Sequence, residues 1–240
     1  MLCSMAAKVK RTRRYDATRR QEAAQQRRAA IIAAATGLFV REGFSGTTIS
    51  RIAADAGVSD ETVYKVFGNK VALVRAIRDT ALAGDGPIHA ERRSDRMQSS
   101  ERDPRNTIRG WSVLAMEVAP RVAPVLLLVR QAAASDPELA RLQEEMDAAR
   151  LTRMTHNAQT LLKGGHLRHD MTLAAATDVL RTYSSPELYE LLVLRRDWSV
   201  QRYGEFIADA MIAALLPLAT EVPRLRGRHS GAFTGSNRPR

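Results

Sequence analysis

Two helix-opening signals separated by a glycine, all between Thr47 and Ser59, constrain this chain more than any other feature. In Thr47-Thr48-Ile49-Ser50-Arg51-Ile52-Ala53-Ala54-Asp55-Ala56-Gly57-Val58-Ser59, a threonine caps a short helix, because its hydroxyl satisfies a first-turn N–H that has no helical partner. Gly57 then breaks that helix, since a tight turn favours a residue free to adopt positive φ. Ser59 caps a second short helix, with Asp60 and Glu61 in its positively polarised first turn. Ala53 and Ala56 are small enough for the two helices to cross closely, and Ile52, Val58, Val63 and Phe67 supply apolar contacts beneath the crossing.

The flanking sequence supplies partners for this pair. From Glu22 to Arg41 the residues Ile31, Ile32, Ala35, Leu38 and Phe39 recur at helical spacing, and Gly43 stands where that helix should stop. A further helix starts near Asn69, a competent cap, and carries Val71, Leu73, Val74 and Ile77 on its apolar side. Between Gly84 and Asn106 the chain turns charged and polar, punctuated by Gly86-Pro87 and Asp103-Pro104, which marks a domain junction. Beyond it the spacing predicts helices over 104–118, 121–134, 137–163, 171–183, 186–195 and 199–216, with Gly164-Gly165, Pro186 and Ser199 as boundaries. No period-2 run of β-branched residues competes, so the fold class is all-α. It comprises an N-terminal three-helix helix-turn-helix head and a larger C-terminal helical bundle. The expected divisions are a disordered basic arm (1–21), the head (22–83), the bundle (84–220) and a disordered basic tail (221–240).

Charge is distributed unevenly. Residues 1–80 hold 15 Lys/Arg against 7 Asp/Glu, residues 81–220 hold 17 against 18, and residues 221–240 hold 5 against 1. Positive charge thus belongs to the N-terminal third and the tail, and implies a polyanionic partner for one module. The plainer alternative is a solvated basic arm. Cys3 is the lone cysteine, which excludes an intrachain disulfide or a thiolate metal cluster and fits a reducing cytoplasm. The longest uncharged apolar stretch, Val122–Val129, is too short to span a bilayer, and the basic N-terminus is not followed by the apolar run of a signal peptide. No nucleophile elbow, zinc-binding helix, Walker loop or dinucleotide glycine pattern is present, so neither catalysis nor a cofactor is expected. His166 and His169, beside Asp170, follow Gly164-Gly165 in a loop and are read as solvent-facing rather than as metal ligands.

Residues Ile31 to Leu73 resemble the DNA-binding domain of the TetR family. The likeness rests on Ile31, Ala35, Leu38, Phe39 and Gly43, then Thr47-Thr48, Ile52-Ala53, Ala56-Gly57-Val58-Ser59, Tyr64, Phe67, Lys70 and Leu73. The resemblance implies a ligand-responsive transcriptional regulator, a repressor released from a pseudo-palindromic double-stranded DNA operator by a small-molecule effector. It further implies that Thr47 or Thr48 and Tyr64 bond phosphates, and that Lys70 meets the DNA backbone. Ser59, Thr62 and Lys65 would face the groove, with Lys65 the best donor to guanine O6/N7. Val66 departs from the pattern, standing where an aromatic or histidine donor is common.

For the second domain the resemblance implies a homodimer built through late helices. The apolar stripes Leu173, Ala176, Leu180 and Tyr183, and Tyr203, Phe206, Ile207, Ala210, Met211 and Ala214, are the candidates for that interface. Trp111, Met116, Leu127 and Met154 are the candidates to line an effector cavity. Two other readings remain open: nonspecific binding of anionic polymers through the basic ends, and an all-α enzyme, for which no acid-base pair can be named. The seven basic residues before the first helix suit a neighbouring minor groove. Removing residues 1–20 is therefore expected to weaken DNA binding and to flatten its salt dependence, measured as log K against log salt, by about 0.9 for each phosphate the arm neutralises.

Overall fold

The computed structural model describes the backbone of residues 3–84 and 88–217, and the side chains of those from Arg19 on. Helix α1 (Cys3–Gly46) is broken at Gly43, where φ is 73°. Helices α2 (Ile49–Asp55), α3 (Asp60–Phe67) and α4 (Lys70–Ala83) follow, then α5 (Ala90–Ser100), α6 (Pro104–Ala133) and α7 (Pro137–Lys163). The chain closes with α8 (Leu173–Tyr183), the short α9 (Pro186–Tyr189) running into a π turn over Glu190–Leu194, and α10 (Val200–Leu215). Among the described residues there is no strand.

Three expectations need correction. The backbone of the basic arm is helical from Cys3 onward rather than disordered. Its sparse apolar content argued against packing, but Ala, Arg, Lys and Gln favour a helix by intrinsic propensity. The arm also extends a helix already nucleated by its packed part, where each added residue needs no new nucleus. The tail over 221–240 lies outside the described residues. Second, the polar junction contains α5, whose few apolar residues hid it. It is held by ion pairs: Arg93 to Glu117 of α6 at 2.5 Å, and Asp95 to Arg153 of α7 at 2.7 Å.

Third, the two helices expected over 104–118 and 121–134 are one, with Pro120 and Pro124 inside it. A proline within a helix costs about 3 kcal/mol. Burying one Val or Leu returns roughly 1.5–3 kcal/mol, and α6 buries Ile108, Trp111, Val122, Ala123, Val125 and Val129 against helices on several sides. Packing outweighs the local defect. By length and composition α6 is also apolar enough to cross a membrane, with a mean hydropathy of 1.8 in its most apolar window. That is weak evidence, since the core helix of a protein surrounded by water passes the same test. Here α6 is the central strut, in contact with α1, α4, α5, α7, α9 and α10.

Two apolar clusters hold the chain together. One joins Ile31, Leu38, Ile52, Val63, Leu73 and Ile77 of the first four helices to Val125 and Val129 of α6 and Leu139, Leu142 and Met146 of α7. It crosses the expected division at residue 83. The other gathers Ile108 and Trp111 of α6, Ala158 and Leu161 of α7, Leu180 of α8, Tyr189, and Tyr203, Ile207 and Leu215 of α10.

The turn between α2 and α3 closes as the sequence implies. The N–H of Val58 donates to the Ala53 carbonyl at 3.0 Å and that of Gly57 to Ala54 at 3.2 Å, the bond pair that ends a helix through a left-handed residue. Gly57 has φ 66°, and an added Cβ would meet nothing within 4 Å. Gly57→Ala is therefore expected to lower stability by strain alone, about 1–2 kcal/mol in urea denaturation, with Gly57→Asn costing less.

Candidate nucleic-acid interface

Helix α3 is presented by its neighbours as a short rod with one buried side. Ser59 caps it, its Oγ accepting from the Thr62 N–H at 3.2 Å and lying 2.9 Å from the Thr62 hydroxyl. Val63 and Phe67 point inward, and the Arg28 guanidinium lies 4.7 Å from the centre of the Phe67 ring, tying α3 to α1. At 100° per residue the direction opposite Val63 and Phe67 belongs to Lys65, flanked by Glu61 and Thr62. Lys65 is exposed, as are Tyr64 (53%) and Val66 (41%).

The corner between α1 and α2 decides which of the expected phosphate contacts are free. Thr47 is fully buried and its hydroxyl donates to the Gly43 carbonyl at 2.8 Å, so it is a structural residue and not a phosphate ligand. Thr48 is exposed and caps α2, accepting from the Arg51 N–H at 3.2 Å. Lys70 is also a correction. Its ammonium turns inward, donating to the carbonyls of Phe44 at 2.7 Å and Thr47 at 3.0 Å, with its Nζ 3.9 Å from the centre of the Phe44 ring. Burial lowers its pKa, with Asp136 pulling the other way. Both carbonyls lie at the α1–α2 corner, that of Phe44 also accepting from the Thr47 N–H at 3.4 Å, and Lys70 gives each of them a charged donor. The motif shows a lysine at the start of α4; which way its side chain turns depends on the loop it packs under.

A cavity of about 290 Å³ opens in the body. One stripe of α6 forms its apolar wall, Trp111, Leu114, Ala115, Val118, Ala119 and Val122, faced by Met154 of α7 and Ile207 and Met211 of α10. Arg78 and Leu82 of α4 reach it from the head side. Its polar lining includes Arg150, paired with Asp147 at 3.3 Å, and Arg130, paired with Glu187 at 2.7 Å. Asn157 also lines it, accepting from Gln98 Nε2 at 3.2 Å. Of the four candidate lining residues Trp111 and Met154 are present, while Met116 and Leu127 are not. Met116 packs over Gly204, where an added Cβ would come within 2.2 Å of its sulfur. The lining stripe had a legible signal, an apolar residue every three or four positions from Trp111 to Val122, obscured by the break assumed at Pro120.

The late helices divide their apolar residues between two faces. Ala176, Leu180, Tyr203, Ile207 and Met211 are buried in the protomer's own core, which corrects their expected place at an interface between protomers. Burial pushes the Tyr203 phenol up to about 12, so it stays neutral, and its hydroxyl donates to the Tyr183 carbonyl at 3.4 Å. Leu173, Tyr183, Ala210 and Ala214 are half-buried, and Phe206 is 40% exposed. Phe206 makes edge contacts with Tyr183 (6.3 Å between centres) and Trp198 (5.6 Å), a residue the stripes did not include. Among the described residues no three His, Cys, Asp or Glu side chains gather in a way that could hold a metal ion.

A capped short helix set across another by a left-handed turn, with its outer face bare and an all-helical body behind it, defines a helix-turn-helix DNA-binding protein. Residues 31–77 match the family model described as bacterial regulatory proteins, tetR family. The match spans the head, from the packed part of α1 into α4. The fold of the chain is similar to that of NalD, the secondary repressor of the MexAB-OprM multidrug efflux pump in Pseudomonas aeruginosa. That match has 23% identity and a TM-score of 0.61, covering 81% of this chain and 98% of that one. It is similar also to SmeT in complex with triclosan (22%, TM-score 0.60, covering 87% and 99%). A third is a transcriptional regulator from Saccharomonospora viridis in complex with choline (19%, TM-score 0.61, covering 80% and 98%). No curated protein matches the sequence.

Lys70→Met is expected to destabilise the chain by about 2 kcal/mol in denaturant melts, because two carbonyls lose a charged donor. The salt dependence of DNA binding should stay unchanged; a slope reduced by about one unit would put the ammonium on a phosphate instead.

Proposed function

We propose that the chain is a sequence-specific transcriptional repressor that binds a pseudo-palindromic operator as a homodimer and is released by a small molecule held in the α6-lined cavity. The observation that carries this reading is the bare outer face of α3, on which Tyr64 and Lys65 stand clear of the protein's own packing beside the half-buried Thr62. Set in the major groove, Lys65 donates to guanine O6/N7, while Thr48, Ser59 and Tyr64 meet phosphates and fix the register. Leu173, Tyr183, Phe206, Ala210 and Ala214, with Trp198, form the surface on which two copies meet about a two-fold axis. On DNA the two heads of such a dimer lie one helical turn apart, roughly 34–36 Å, or a multiple of that.

Release follows from the reach of α4. It starts under the α1–α2 corner through Lys70, pairs with α7 through Arg75 and Glu145, and ends with Arg78 and Leu82 in the cavity wall. A ligand that fits the cavity better with α4 displaced stabilises a head spacing the operator does not accept, and its differential affinity sets how far the population moves. NalD is named a repressor, SmeT holds triclosan and the S. viridis protein holds choline, so proteins of this fold carry both halves of the proposal.

Selection from a random duplex pool is expected to return a two-fold symmetric consensus bound by the dimer. Equal affinity for scrambled duplexes at the same salt would sink the reading in favour of nonspecific polyanion binding. Ala119→Phe, which fills part of the cavity, should leave operator affinity intact and abolish release by any small molecule that displaces the unsubstituted protein. Full release of this variant would place the effector elsewhere.

A further inference from the structure

Helix α3 opens with two acidic residues, and the structure separates their roles. The Asp60 carboxylate accepts a hydrogen bond from the Ser50 hydroxyl of α2, which fastens the start of α3 to the bracing helix. Glu61, the next residue, is exposed and makes no hydrogen bond or ion pair among the described residues. It precedes Lys65 by one helical turn on the face opposite Val63 and Phe67. We infer that Glu61 is a base-reading residue that selects cytosine beside the guanine read by Lys65. This rests on the operator-binding function proposed above.

Duplex DNA carries a negative charge about every 1.7 Å along its axis, so a carboxylate carried into the groove is repelled unless a donor meets it. Cytosine offers only its N4 amino donor at the major-groove edge. Guanine and thymine present acceptors there, and adenine sets its N7 acceptor beside its N6 amino group. A carboxylate at this position therefore favours cytosine, meets a donor on adenine only beside the repelling N7, and is repelled by guanine and thymine. Glu61 and Lys65 are separated by four residues, about 6 Å along the helix axis. This is close to two base steps of about 3.4 Å, so the cytosine lies within two base pairs of the guanine. Had Glu61 served only to complement the positive end of α3, a carboxylate on any side of the first turn would have sufficed, and Asp60 already supplies one.

The test compares consensus sequences selected by the unsubstituted protein, Glu61→Ala and Glu61→Gln, each checked for an unchanged melting temperature. The unsubstituted protein should prefer cytosine at one symmetric pair of positions by about fivefold to a hundredfold over other bases. Glu61→Ala should erase that preference and strengthen binding to random DNA, and Glu61→Gln should turn it toward adenine, whose N6 and N7 suit an amide. If the unsubstituted protein selects a consensus and both variants select the same one, Glu61 is not a base reader and the inference falls while the operator reading stands. If the unsubstituted protein selects none, the operator reading falls and this inference falls with it.

Discussion

The structure depends on one continuous apolar contact between the helices that present α3 and those that enclose the cavity. Leu73, Val74 and Ile77 of α4 share a cluster with Val125 and Val129 of α6 and with Leu139, Leu142 and Met146 of α7. A head joined to its body only by a linker would move independently, and events in a cavity would not reach it. Close-packed interiors transmit displacement because their side chains have few alternative arrangements. The head here is therefore an extension of the body's core.

Within that frame, the orientation of α3 rests on polar detail at its edges. The break at Gly43 leaves carbonyls facing inward, and Thr47 and Lys70 satisfy them from two directions. Stacking of Phe39 on Phe44 (5.8 Å between ring centres) and the nearby Lys70 ammonium bind the same corner. These groups bring α2 into position, and the turn at Gly57 then sets α3 relative to α2. A buried carbonyl without a donor costs about 1–3 kcal/mol, so the corner has little freedom to adopt another form.

The cavity exists because α6 is apolar along a stripe that no neighbour fills. Its small residues, Ala115, Ala119 and Ala123, leave room where longer ones would close the gap against α7 and α10. The ion pairs of Arg130 and Arg150 hold charge at the lining without leaving it bare. Such a wall suits a ligand with a large apolar surface and few polar groups.

Local chemistry was legible in the sequence: the caps at Thr48, Ser59 and Asn69, the left-handed glycine of the turn, the inward set Ile52, Val63 and Phe67, and the long α7. Each depends on residues within a few positions of one another, so short-range rules suffice. What only the tertiary structure decided was the direction of groups whose partners lie far along the chain. Lys70 and Thr47 turned inward because the Gly43 corner met them, and α6 stayed one helix across two prolines because helices on several sides held it. Tyr203, Ile207 and Met211 entered the core, leaving Phe206 outside. A helical stripe records that a face is apolar; which neighbour covers it is set by packing between elements distant in sequence, and periodicity carries no information about that choice.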